Sequence, residues 1–268
     1  MGKGGEMSKT ILALLAVVGL FSVMAFAQEP AKPAVTNGSP STSGAAATKG
    51  EIPATPEIAI TAETTPKDLA RAAFMAQGGD KFRSVQNMVL RGAVQLYPPN
   101  SVQSIPGAFS LVTARDKLRM EIDARPAITF KQIYDGEQTY SSVPNIALPP
   151  LTKFGFGALA RYDQPGFQIS AIADKKKQRG FRLVDPDGYT TDFYLDPKTG
   201  RVMSFFIYYN GLTLGTENSK FKEVEGVLVP VSFSQKFEMP MGAFFAEFSV
   251  KEVRLNQQLA EDAFAIPR

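Results

Sequence analysis

From Met88 to Asn256 the apolar residues return at every second position, and this period limits the possible folds more than any other feature of the chain. Successive side chains of an extended segment point to opposite faces, so a twofold apolar pattern makes a strand with one dry face. KLRMEID shows it most cleanly, with Leu118, Met120 and Ile122 alternating with Lys117, Arg119, Glu121 and Asp123. Val229, Val231, Phe233 and Phe237 alternate with Ser232, Ser234 and Lys236, and Phe244, Ala246, Phe248 and Val250 with Glu247, Ser249 and Lys251. Between such runs lie Asp135-Gly136, Asp187-Gly188, Pro197-Lys198-Thr199-Gly200, Asn210-Gly211 and Glu225-Gly226, which are turn signals at hairpin spacing. Strands joined this way are antiparallel, and roughly nine to eleven of them fit the region.

A twisted antiparallel sheet of that size curls or closes, and one face becomes an interior. The first half of that face is predicted to carry Leu90, Val94, Leu111, Leu118, Met120 and Ile122. The second half carries Phe193, Met203, Phe205 and Ile207, then Val231, Phe233, Phe244 and Phe248. Such a set either fills a core or lines a cavity for an apolar ligand. Twenty Phe and nine Met make a bulky, adaptable wall of the kind that repacks around flexible apolar molecules. MSFFIYYNGL (203–212) is apolar on both faces; the reading is that Met203, Phe205 and Ile207 line the interior while Phe206 and Tyr208 lie under an N-terminal helix.

That helix is predicted from Thr65-Pro66-Lys67-Asp68, a Thr cap with Pro at the first helical position and an acid three residues after the cap, through to Gly78-Gly79. The strand pattern is interrupted once, by SVPNIALPPLTKFGFGALARYDQPG (142–166), which is apolar but follows neither period. It reads as a lid or an end plug, with Leu148, Leu151, Phe154 and Phe156 as apolar contacts and Gly155 and Gly157 as flexible points. Met239-Pro240-Met241-Gly242 is a second apolar lip or a turn folded back on its own sheet.

Composition excludes much chemistry. Cys, His and Trp are absent, so there is no disulfide, no thiolate nucleophile and no imidazole base or ligand; neither metal nor cofactor is expected. Twenty-nine Lys and Arg against 26 Asp and Glu is too small an excess to point to nucleic acid. Paired carboxylates can run glycoside hydrolysis without His, but Asp185, Asp187 and Asp196 belong to turns and Glu121 and Asp123 to a wet strand face, so the chain reads as a non-enzyme. Lys175, Lys176, Lys177 and Arg179 form a cluster at a hairpin end, either simply solvated or meeting anionic lipid headgroups.

The N-terminus sets the compartment. Lys3 and Lys9 precede the apolar run ILALLAVVGLF (11–21), and Ala25 and Ala27 complete an A-x-A cleavage signal, so residues 1–27 read as a signal peptide for export; the alternative, an uncleaved anchor, is disfavoured because the run is shorter than the roughly 20 residues a spanning helix needs. Residues 28–63 are rich in Pro, Ala, Thr and Ser without apolar period, the composition of a disordered linker. The folded domain is placed at 64–268.

Three regions resemble the LolA/LolB-like superfamily of periplasmic outer-membrane lipoprotein carriers. They are ARAAFMAQGGDKFRSVQNMVLRGAV (70–94), YLDPKTGRVMSFFIYYNG (194–211), and FKEVEGVLVPVSFS (221–234) with VKEVRLNQQLAEDAFAIP (250–267). Gly226, Pro230, Asn256, Phe264 and Pro267 carry turns and packing within them. The resemblance spans about 65–268. It implies a mainly β fold, an open antiparallel half-barrel of about eleven strands around an apolar cavity, with an N-terminal helix and a loop or helix lid. It further implies a periplasmic carrier of lipid or lipoprotein acyl chains, or, as in a related sensor group, a protein that binds an envelope partner. The long leader and the lack of a lipid-modified N-terminal Cys depart from the carriers, and no ligand-contact residue matches one to one.

Overall fold

The computed structural model describes residues 59–99, 101–143, 149–239 and 242–267. Ala25, Ala27, nearly all of the 28–63 segment, Leu148 and the Pro240-Met241 turn lie outside the described residues. The chain enters through α1 (Pro66–Ala76), capped as the sequence predicts: Thr65 Oγ1 accepts from the Asp68 N–H at 3.2 Å and donates to Asp68 Oδ2 at 2.6 Å. It leaves through Gly78 at φ 118° and Gly79 at φ 57°, then forms the short α2 (Asp80–Ser84). Gly78 also meets a close approach, since a Cβ there would stand 2.4 Å from the Gly226 carbonyl oxygen.

The sheet follows. Its first half is β1 (Asn87–Tyr97), β2 (Ile105–Ala114), β3 (Lys117–Ala124), β4 (Ile128–Tyr134) and β5 (Thr139–Ser141). A 3-10 turn (Leu151–Lys153) and α3 (Gly155–Leu159) interrupt it. The second half is β6 (Gln168–Ala171), β7 (Arg179–Val184), β8 (Thr190–Leu195), β9 (Val202–Tyr209), β10 (Leu212–Val224), β11 (Val227–Met239) and β12 (Gly242–Leu255). The twelve strands form one antiparallel sheet in the order β5-β4-β3-β2-β1-β12-β11-β10-β9-β8-β7-β6, with β5 and β6 as its open edges. The count exceeds the expected eleven because β5 and β6, at three and four residues, are too short for alternation to register.

All pairings but one are sequential hairpins; β1 with β12 joins the two halves. The interruption carries the chain from one sheet edge to the other, and its contacts show that the sheet curls. Thr152 Oγ1 donates to the Asp116 carbonyl at the β2–β3 turn (2.8 Å), and three residues later the Gly155 N–H donates to Thr191 Oγ1 on β8 (3.2 Å). Two strands far apart in sheet order are thus clamped to neighbouring residues, which a flat sheet does not permit. The fold is an open half-barrel.

Three irregularities shape it. In β1–β12 the register shifts between Arg91 and Gly92, and a Cβ on Gly92 would lie 2.0 Å from the Ser249 carbonyl oxygen. Gly92→Ala is expected to cost about 1–3 kcal/mol by overpacking backbone that has little room to give. Urea unfolding checks this, and an unchanged midpoint contradicts it. In β8–β9 the register shifts beside Leu195, which pairs with Val202, so fully buried Val202 replaces Met203 on the inner face and leaves Met203 half-buried. In β10–β11 the ladder skips Ser219 and Val231, and Val231 is half-buried for the same reason.

The second face of MSFFIYYNGL also departs from expectation. α1 packs on β6 and β7 and over the concave side, where Phe74 meets Tyr162 at 5.4 Å. Phe206 and Tyr208 point the other way, toward the convex side. There the Lys175 ammonium sits 4.0 Å from the Phe206 ring centre, and the Tyr208 hydroxyl donates to Asp192 at 2.9 Å. Asp192, 4% exposed, also accepts two hydrogen bonds from Arg182, at 2.6 and 2.8 Å. Burial and the adjacent Asp192 carboxylate push the Tyr208 phenol up to about 12. A charged cluster, not a helix, covers that face.

Candidate functional site: a cleft beneath the lid

Most of the predicted inner face is packed solid. Leu90, Val94, Leu111, Leu118, Met120 and Ile122 are at most 2% exposed, and Phe193, Phe205, Ile207, Phe233, Phe244 and Phe248 at most 4%. The rings fill the trough: Phe248 stacks on Phe233 at 4.7 Å and meets Phe109 edge-on at 5.0 Å, and Phe181 stacks on Phe193 at 5.0 Å. The centre of the half-barrel is a core of close-packed aromatic rings rather than a loose wall of Phe and Met.

Open space lies at one end of the trough, in a cleft of about 390 Å³ between the lid, α2 and the first turns of the sheet. Phe82 and Val85 of the α2 segment, Met88, Leu118 and Val229 on the strands, and Phe156 of the lid supply apolar lining. Leu118 is the one residue of the predicted inner face that reaches this cleft, whereas three of the four predicted lid residues, Leu151, Phe154 and Phe156, do. Thr113, the cross-strand partner of both Leu118 and Met88, lies half-buried on the same wall.

The lid is held from several sides. Phe154 is fully buried and packs on Tyr189 at 5.1 Å; Phe156 meets Phe82 at 6.4 Å and Phe205 at 5.7 Å, both edge-on. Lys153 reaches Asp187 at 3.0 Å, and this carboxylate raises the lysine's pKa. Arg161 closes the lid on itself, donating from Nε to the Gly157 carbonyl and from Nη2 to the Thr152 carbonyl, each at 3.0 Å. The lid glycines are fitted rather than flexible points: Gly155 sits at φ 53°, and a Cβ on Gly157 would lie 2.2 Å from the Thr152 oxygen.

The rim is polar and was not singled out in the sequence. Arg83, Arg115 and Arg161 line the cleft against one carboxylate residue, Asp116. Arg83 is paired with Asp163 at 2.7 Å and lies 4.3 Å from the Phe74 ring centre. Arg115, at φ 54° in the β2–β3 turn, donates from Nε and Nη2 to Gln86 Oε1 at 3.2 and 3.0 Å. Gln77 is 1% exposed, and its Nε2 has no hydrogen-bond partner among the described residues. Asn87 and Asn256 tie the rim together: Asn256 Oδ1 accepts from the Gln86 N–H at 2.8 Å, and Asn87 Oδ1 from the Gln257 N–H at 2.9 Å.

Among the described residues, the carboxyls whose pKa departs from the ordinary value are all lowered. Burial raises the Glu121 carboxyl, but hydrogen bonds from Lys131 and Arg119 outweigh it and leave the net shift downward. Asp123 is lowered by Arg125, and Asp135 by the backbone N–H groups of Gln138 and Glu137. A general acid needs the opposite shift. Among the described residues no three acidic groups gather as a metal site, and no helix is long and apolar enough to cross a membrane. In the basic cluster Arg179 is engaged by Asp174 at 3.1 Å and by the Ala62 carbonyl at 3.0 Å, and Lys175 by Phe206; Lys176 and Lys177 stay exposed.

No family model matches the sequence, and no curated protein does. Solved structures do. A LolA superfamily protein from Nitrosomonas europaea, NE2245, superimposes with a TM-score of 0.50 over 75% of this chain and 98% of its own, at 12% identity. A DUF1329 family protein from Desulfovibrio piger gives 0.47 over 75% and 97% at 10% identity. An outer membrane lipoprotein-sorting protein domain from Vibrio parahaemolyticus gives 0.47 over 73% and 97% at 12% identity. At such identities the likeness is one of backbone architecture, carried by the first of the three. The chain has a LolA-like fold.

Proposed function

We propose that this protein is a non-enzymatic, exported binding protein of the cell envelope that shields a lipid or lipoprotein acyl chain in the cleft beneath its lid. The observation that carries the reading is the cleft itself: about 390 Å³ with apolar walls at one end of a half-barrel whose centre is filled by aromatic rings. That volume falls toward the lower end of the roughly 300–1,000 Å³ typical of small-molecule sites, so it suits one chain rather than several. Burial of hydrocarbon gains about 0.8 kcal/mol per CH₂, and a bilayer offers nearly as much, so a cleft that covers part of a chain both takes and releases it. The signal-peptide reading of residues 1–27 supports a periplasmic location.

Native mass spectrometry of the protein purified from its own envelope tests this. Copurified lipid mass is the expected result; a clean apo mass with a tightly bound protein contradicts it. That second outcome belongs to the rival reading, a sensor or scaffold for another envelope protein, which the close-packed centre of the trough favours. Membrane contact is proposed through Lys176 and Lys177, the exposed cations of the hairpin. Replacing both with Gln is expected to weaken binding to anionic liposomes by about fivefold per lysine, from about 1 kcal/mol each; undiminished binding removes the contact.

A further inference from the structure

Deepening that reading of the same cleft, we propose that it selects an anionic amphiphile, a single acyl chain whose carboxylate or phosphate head is held at the rim by Arg115 and Arg161.

Three observations converge. First, of the three lining arginines, only Arg83 has carboxylate partners, Asp163 and, at 3.8 Å, Asp80; Arg115 and Arg161 have none within 4 Å among the described residues and donate instead to an amide and to carbonyl oxygens. Guanidinium groups bonded only to neutral acceptors keep their full charge available, and each has further N–H donors in the fork that matches a carboxylate or phosphate. The one lining acid, Asp116, has its carboxyl group beside Gly136 in the β4–β5 turn. Secondly, Gln77 lines the same cleft almost wholly buried, with no hydrogen-bond partner for its Nε2 among the described residues, and a buried donor left unmade costs about 1–3 kcal/mol, so the wall behind the arginines keeps a polar group unmatched. Thirdly, these donors border the apolar wall of Phe82, Met88, Leu118 and Phe156, which fixes the order of the ligand: tail inward, head at the rim.

The test uses the folded protein and three probes with the same twelve-carbon tail, each below its micelle concentration: laurate, dodecyl phosphate and uncharged monolaurin. Titration calorimetry is expected to show laurate, dodecyl phosphate or both bound at least about tenfold more tightly than monolaurin, the equivalent of about 1.4 kcal/mol. Whichever anion is preferred identifies a fatty-acid or a phospholipid head as the source. Arg115→Gln and Arg161→Gln are each expected to weaken the anionic probes by more than they weaken monolaurin, so that the ratio of affinities falls at least about threefold, and Arg161→Lys to restore part of that ratio. Equal affinity for all three probes overturns the headgroup assignment and leaves the acyl-chain reading standing. Failure of every probe to bind overturns both. An anion preference that survives in the double Gln variant overturns the assignment to these arginines.

Discussion

Thr113→Trp is expected to lose acyl-chain binding by at least about a hundredfold while the protein stays folded. Thr113 lies half-buried on the cleft wall between its cross-strand partners Met88 and Leu118, so an indole there projects into the space the ligand needs. Displacing about four methylenes forfeits about 3 kcal/mol at 0.8 kcal/mol each, which is more than two decades in affinity. The close-packed centre is untouched, and the rim gives the indole N–H access to water. Laurate titration measures the loss, with far-ultraviolet circular dichroism as the control for folding. Undiminished affinity in a folded variant places the ligand elsewhere.

Phe205→Ala carries the largest expected effect on stability. Its fully buried ring stands between Phe156 of the lid at 5.7 Å and Phe193 of β8 at 6.0 Å. From there the contacts run to Phe82 on α2 and Phe181 on β7. Truncation removes the transfer free energy of a phenyl ring and leaves a cavity that a curved sheet clamped on both sides cannot close, a cost of about 3–5 kcal/mol. Against a typical stability of about 5–15 kcal/mol this is a large fraction of the whole. Phe206→Ala next door removes a half-exposed ring from the convex face and is expected to cost far less. Equal urea midpoints for the two variants contradict the assignment of faces.

The architecture was legible because its determinants are local. Alternation in KLRMEID becomes the alternating burial of β3, and Asn210-Gly211 and Glu225-Gly226 adopt positive φ at both positions, as tight hairpins require. The Thr65 cap is a matter of four consecutive residues. Where register depends on a neighbouring strand, the reading fails: Met203 and Val202 exchange faces because of a bulge opposite Leu195, which no count along β9 alone reveals. The cleft was half legible. Apolar lid residues advertise burial, but Arg115, Arg161 and Gln77 come to line one cleft only after the β2–β3 turn, the lid and the end of α1 have been brought together across long sequence separations. A left-handed, non-glycine residue at Arg115 is a structural signal, invisible in the string ARDK.

The core claim is that an acyl tail lies in the end cleft and not in the centre of the trough. Photocrosslinking with a diazirine-tailed fatty acid, followed by peptide mapping, tests it most directly. Labels on the segments containing Met88, Leu118 and Leu151–Phe156 are the predicted result. Labels concentrated on Phe109, Phe233 and Phe248, or the absence of any saturable label, would contradict it.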